Sequence, residues 1–266
     1  MLLDFDRLGG LRVALSAIAF LVGAFLLLPI VVIVLLSFGS SRYLQFPPPA
    51  WTLRWYEELF DDPDWLASFA TSLEIAVVVA IAATLLGLMA SFGLARGRFP
   101  GKEALRALFL TPMVMPVVVL AVALYAFFLR LQLNGTFVGF VIAHTIIALP
   151  FAIISISNAL EGFDKSIEDA AVLCGASPLE AKLRVTLPAI RSGLFGAAIF
   201  SFLASWDEVV VAIFMASPDL QTLPVRVFST LQQDLSPVIA AVSSILVALT
   251  VLLMAVAAIL RRGKPA

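Results

Sequence analysis

The sequence predicts an all-α membrane protein that crosses the bilayer six times and keeps both termini in the cytoplasm. Three observations carry this. Of the 266 residues, 62% are hydrophobic and only 13% charged, far from the balance of a soluble domain. The apolar residues gather into six runs with few or no charges, each of about 20 residues or more, the length a helix needs to cross the hydrocarbon. With both termini inside, all but four of the seventeen Lys and Arg fall in inside segments, from Arg7 and Arg12 to Arg261, Arg262 and Lys264. Arg42, Arg54, Arg130 and Arg226 are the four left outside.

Composition also excludes. A net charge of −1 lacks the basic face that nucleic-acid binding needs. The single cysteine, Cys174, rules out an internal disulfide and a Cys-rich metal site.

Residues 1–12 form a cytoplasmic N-terminus, and residues 13–36 the first span. That run is too long for a signal peptide and lacks a small-residue cleavage site. Residues 37–70 make an external loop. Its proline run, Pro47 to Pro49, cannot continue a helix, and Trp51, Trp55, Tyr56 and Phe60 suit the headgroup level as an interfacial anchor or a docking surface. The second span, 71–95, opens on Thr71 and Glu74 at capping-box spacing, so Glu74 reads as structural. The third span covers 107–129. The run from Leu131 to Leu160 is too long for one crossing, so Asn134 and Gly135 read as a tight loop and the fourth span as 136–160. It holds the one histidine, His144, read as a buried, hydrogen-bonded packing residue. A cytoplasmic loop, 161–191, leads to a fifth span, 192–217, and a sixth, 235–260. Residues 71–260 form one domain.

The 161–191 loop is unlike the rest: it is polar and patterned. Ile167, Ala170, Ala171 and Cys174 recur on one face of a short helix. Gly175 ends it, where positive φ costs glycine nothing. Ser177, Pro178 and Glu180 then restart a helix as N-cap, first helical residue and capping-box partner. Pro188 suits a break before the fifth span.

This segment resembles the cytoplasmic EAA loop of binding-protein-dependent ABC importer permeases: E-A-A, three residues, G, nine residues, I-x-L-P. Here it reads Asp169-Ala170-Ala171, Gly175 and Val185-Thr186-Leu187-Pro188, with Asp169 for glutamate, Glu168 beside it, and Val185 for isoleucine. The resemblance extends over nearly the whole chain, and "FPPPAWTLRWYEELF", "SWDEVVVAIFMASPDLQTLPVRVFSTL" and "SPVIAAVSSILVALTVLLMAV" look like the spermidine/putrescine subgroup. The usual "NSL" at the second span is "TSL" here.

The resemblance implies the type I ABC importer permease architecture and a bacterial inner-membrane location. It implies that Glu168, Asp169, Ala170, Ala171, Gly175, Val185, Leu187 and Pro188 belong to a loop seated in a groove of a cytoplasmic ATPase. The implied partners are an ATPase dimer that uses ATP and Mg, a second permease subunit, and an extracytoplasmic solute-binding protein. The chain itself shows no P-loop: "GRFPGKEAL" has the wrong glycine spacing and Glu103 after Lys102. No nucleophile–base pair and no metal cluster stand out, so no catalytic residue and no bound cofactor are expected.

The fifth span points to the passenger. An acid inside a span costs a few kcal/mol and faces protein or a water-filled cavity. Ser201, Ser205 and Glu208 share one face of a continuous helix, with Asp207 beside them and Trp206 available for cation–π contact. Asp207 would lie roughly 21 Å from Gly193, past the midplane. Two readings stay open: carboxylates for an organic ammonium, or acids that cap or pair with Arg226 or Arg130. A polyamine-like cation fits the first, while related permeases carry opines, amino-acid derivatives or other small solutes. A secondary transporter would show repeated halves with interrupted helices. Pro112, Pro116 and Pro150 interrupt helices here, without a convincing repeat.

Overall fold

A computed structural model describes residues 9–233 and 236–262. Arg7, Leu235 and Lys264 lie outside the described residues, as do the side chains of Arg12, Arg261 and Arg262. The fold is all-α. In chain order the helices are α1 (Gly9–Ser37), α2 (Arg54–Asp61), α3 (Pro63–Arg96), α4 (Lys102–Val114), α5 (Val117–Leu131), α6 (Phe137–Glu161) and α7 (Lys165–Leu173). Then come α8 (Pro178–Ala181), a π-helical turn (Lys182–Thr186), α9 (Leu187–Ala189), α10 (Arg191–Trp206), α11 (Val210–Met215), α12 (Leu223–Gln233) and α13 (Val238–Arg262). Among the described residues three stretches are each long and apolar enough to cross a membrane: Val13–Ser37 within α1, α3 and α6. Two bent pairs qualify only when joined, α4 with α5 at 104° and Pro178–Ala189 with α10 at 72°.

The chain forms two compact units, Met1–Pro63 with Ser229–Ala266, and Asp64–Phe228. In the first, α13 packs on α1 and α2. The loop after α1 is pinned by side chains rather than left as a plain anchor. Trp55 Nε1 donates to the Gly39 carbonyl at 2.6 Å, and the buried Ser37 hydroxyl meets Tyr56 Oη at 2.7 Å. Trp55 is thus buried core, while Trp51 and Phe60 stay exposed.

The second unit holds the larger core, with Ile75 and Val79 of α3, Leu124 and Phe128 of α5, and Phe140 and Ile156 of α6 among its buried side chains. The most extensive pairing is α6 with α10, made possible by small residues. A Cβ on Gly193 would fall 2.3 Å from Ala159 Cβ, so only glycine allows this approach. Ser155 Oγ seals it by donating to the Gly193 carbonyl at 2.9 Å. Where α3 crosses α6, Gly87 faces Ala152 and Ser91 Oγ donates to the Ile153 carbonyl at 3.2 Å.

Several sequence expectations are corrected. The second span does not open at Thr71: α3 begins at Pro63, whose fixed φ and missing N–H suit a first helical position, so Thr71 and Glu74 lie inside the helix. The third run is not one helix. Met115, preceding Pro116, is held extended (φ −71°, ψ 143°) by the clash that disfavours α geometry before proline, and the chain turns sharply there. Of the three prolines expected to interrupt helices, Pro116 does so, whereas Pro112 and Pro150 sit within α4 and α6. The fourth helix starts as expected, with Thr136 as N-cap accepting from Gly139 N, and Gly135 at φ +71°. The fifth run is also broken: α10 stops at Trp206 and α11 resumes at Val210. The segment before the sixth span, given no element from sequence, forms α12.

Candidate functional site

The loop between α6 and α10 is built from local signals that work as expected, plus one long-range contact that sequence reasoning missed. Asp164 caps α7, its Oδ1 accepting from Ser166 N at 2.9 Å. At the other end Ala176 N donates to the Ala171 carbonyl and Gly175 N to the Val172 carbonyl, with Gly175 at φ +100°. That is a Schellman stop, and it satisfies carbonyls the helix would otherwise leave open. The restart is a full capping box: Glu180 N donates to Ser177 Oγ at 3.2 Å and Ser177 N to Glu180 Oε2 at 3.0 Å. The π-helical turn precedes Pro188, whose ring has no N–H and crowds the carbonyl four residues back; widening the helix over Lys182–Thr186 relieves both problems.

The two acids of α7 part company. Glu168 is buried, and Asp169 is exposed beside Lys165 at 3.9 Å. Arg96, the last residue of α3, forms an ion pair with Glu168 Oε2, and Thr186 Oγ1 donates to the same oxygen at 2.5 Å. The Arg96 guanidinium lies 5.7 Å from the Phe92 ring and 5.8 Å from Phe163. Burial opposes ionisation of Glu168. The hydrogen bonds from Thr186 and Arg96, with the charges of Arg96 and Lys182, outweigh it and hold the carboxyl below its ordinary value. One carboxylate thus ties the first loop helix to the end of α3 and to the π-helical turn. Arg96 is 72 residues away in sequence, so no local pattern could have revealed it.

Outward, the loop presents an apolar and small-residue surface. Ile167, Ala170 and Cys174 are exposed and Ala171 half-buried, while Leu173 is 89% and Leu179 66% exposed. Of the motif's later positions, Val185 and Leu187 are half-buried and Pro188 exposed.

The candidates of the fifth run separate into two groups. Ser201 and Ser205 are buried, and Ser205 Oγ lies 2.9 Å from His144 Nδ1 on α6. Trp206 stacks on Phe202 at 5.7 Å between centroids and meets Phe69 edge-on at 5.6 Å. Glu208 does not share a helix face with the serines, because α10 has already ended. Its Oε1 accepts from Val211 N at 2.7 Å, satisfying one of the open first-turn donors of α11 from the residue before the N-cap, Val209. Asp207 is exposed; its N–H closes α10 on the Leu203 carbonyl at 3.1 Å, while its side chain makes no hydrogen bond or ion pair among the described residues. Arg226 is not its partner: the guanidinium pairs with Asp64 at 2.9 Å. Among the described residues no three His, Cys, Asp or Glu side chains are grouped to hold a metal.

A polar, rigidly capped loop held against a bundle of apolar helices is the feature that known proteins can be compared on. Residues 83–264 match the family described as the binding-protein-dependent transport system inner membrane component. The chain belongs to that family. The permease is 31% identical to the spermidine/putrescine transport system permease protein PotC of Haemophilus influenzae, over 93% of this chain and 96% of that one. It is 32% identical to the putrescine transport system permease protein PotI of Escherichia coli K12, over 84% of this chain and 81% of that one. Its fold matches a solved structure of a bacterial ABC transporter involved in the import of the acidic polysaccharide alginate. The TM-score is 0.71, with 16% identity, covering 100% of this chain and 99% of that chain. The permease is therefore a multi-pass membrane protein with the ABC importer permease fold, and its relatives are transport subunits rather than enzymes.

Proposed function

We infer that this permease forms half of the transmembrane pathway of an ATP-driven importer for a small organic cation of the polyamine class, in the bacterial inner membrane. It crosses the bilayer six times with both termini inside: α1, α3, α6, α13 and the two bent pairs. A second, homologous permease completes the pathway, and an extracytoplasmic binding protein delivers the solute. ATP and Mg act on a separate ATPase dimer. Asp207, Glu208, Trp206, Ser205 and Ser201 are the substrate-pathway candidates, with Trp206 ending α10 and the two acids in the break that follows it. The identity to polyamine permeases over nearly the full chain supports the substrate class.

One observation carries the coupling role. The loop of Glu168, Asp169, Ala170, Ala171, Gly175, Val185, Leu187 and Pro188 is fixed on its inner side by Arg96 and Thr186 and exposes apolar side chains on the other. Such a patch beyond the ends of the spans suits a protein partner. The test is uptake of labelled spermidine by proteoliposomes holding the permease, its partner permease, the ATPase and the binding protein. Uptake should require ATP. A Cβ added at Gly175 meets no neighbouring atom within 4 Å, so the cost of Gly175→Val is chiefly backbone strain of order 1–3 kcal/mol at its positive φ. The variant should insert normally yet lose ATPase attachment or ATP-linked uptake. Uptake that persists without the ATPase, or is untouched by Gly175→Val and Ala171→Asp together, overturns the reading.

A further inference from the structure

Where the coupling loop leaves α6 lies an open cleft of about 600 Å³. Its charged lining comes from Arg96, Arg98, Lys102 and Lys165, with Glu161 the one acid. Arg106 approaches Glu161 to 3.9 Å, which offsets part of that negative charge. Arg98 and Lys102 form no ion pair among the described residues. The Arg96 nitrogen not engaged with Glu168, Nη2, is shielded from solvent and has no acceptor. Glu168 matches Arg96 and Asp169 matches Lys165, so the surplus positive charge rests on Arg98 and Lys102, and that surplus repels a polyamine and attracts an anion. Guanidinium groups offer forked donors to a tetrahedral oxyanion, and lysines add point charge. The floor is apolar, from Ala95, Leu160 and Phe163.

Position narrows the chemistry further. Arg96 ends α3 and Glu161 ends α6, the two long apolar helices of this unit. If these helices span the bilayer, as the importer reading holds, the cleft sits at headgroup level on the side rich in basic residues. We propose that it binds a phosphate group, and that at this depth the phosphate belongs to an anionic phospholipid. The volume far exceeds one phosphate and leaves room for the glycerol headgroup above the apolar floor. Basic pockets between spans on the cytoplasmic side have the right field for such lipids.

The experiment uses the full permease purified with its partner subunits in detergent. Phosphatidylglycerol, phosphatidylcholine and inorganic phosphate are each titrated and read by native mass spectrometry. Phosphatidylglycerol should be retained in preference to phosphatidylcholine. The double variant Arg98→Gln/Lys102→Gln should bind it on the order of tenfold more weakly or worse. Both side chains lack partners, so assembly should survive; the charge-preserving pair Arg98→Lys/Lys102→Arg should retain the lipid. Displacement of the lipid by millimolar inorganic phosphate, or phosphate binding with the same residue dependence, would keep the site and assign it to the free anion. Lipid and phosphate binding both indifferent to the double variant would overturn the proposal. ATP-driven uptake, measured on the same samples, reads the importer assignment separately.

Discussion

At the scale of single residues, Glu168 matters more than its place beside the motif suggests. It is the acid that turns inward, and three elements converge on it through Arg96 and Thr186. Replacing it with glutamine removes the charge and leaves a largely buried guanidinium without its counter-ion. The cost is about 1–3 kcal/mol, that of a buried donor left unsatisfied. The Glu168→Gln permease should still insert and assemble, with hydrolysis less tightly linked to uptake, as measured by the ratio of solute moved to ATP consumed. The pH dependence has a definite sign. The folded carboxyl lies below its ordinary value of 4.5, so its stabilisation is complete above about that pH and is lost as the pH falls through the folded value. The gap in thermal unfolding midpoint between wild type and Glu168→Gln should be full near neutrality and close below about pH 4.5. An unchanged gap would show that the carboxylate's charge does not hold the loop. Gly175, Ser177 and Glu180 were legible in the sequence because caps are local, three or four residues wide. The Glu168–Arg96 pair was not, because its partners meet only once α3 and the loop are folded.

At the scale of elements, proline and glycine explain what the apolar runs alone do not. The break before α5 follows from Pro116 and its effect on Met115, so it could be read from sequence. The break after α10 could not. The stretch Asp207-Glu208-Val209 holds no proline or glycine, and the bond from Val211 N to the Glu208 side chain, which satisfies a first-turn donor of α11, forms only once the break is made. The pairing of α6 with α10 rests on closeness. Gly193 admits Ala159 at a distance no other residue tolerates, and Gly196 sits over Ser155, whose Oγ would be 2.9 Å from an added Cβ. In a membrane such packing has no water-driven hydrophobic term behind it, so close contact and interhelical hydrogen bonds are what hold the pair. Gly193→Leu must therefore separate the helices or displace the Ser155 hydrogen bond. It should lower the thermal midpoint in detergent and reduce assembled transporter, by of order 1–3 kcal/mol or more for overpacking. Gly23, inside α1 with nothing within 4 Å of its added Cβ, is the control: Gly23→Ala should not lower the midpoint, since alanine is the better helix former.

At the scale of the whole molecule, the number of crossings turns on the bent pairs. Helix α5 has 15 residues, so it is about 22 Å long, short of the roughly 30 Å hydrocarbon thickness. It completes a crossing only if α4 carries part of the depth. The alternative for a pair bent by 104° is a re-entrant excursion that returns to the side it left. The basic residues favour a crossing, because without it α6 would carry Lys165, Lys182, Arg184 and Arg191 to the outside. Single cysteines in a Cys174→Ser background decide the matter. Placed at Glu57, Gln132 and Asp219, all exposed, they should react with an impermeant thiol reagent added to intact cells. Placed at Glu103 and Glu180, also exposed, they should react only after permeabilisation. If Gln132 labels with Glu103 rather than with Glu57, α4 and α5 form a re-entrant hairpin and every side assigned after them must be redrawn. If instead the whole pattern is reversed, the capped loop faces away from any cytoplasmic ATPase, and the coupling role fails with it.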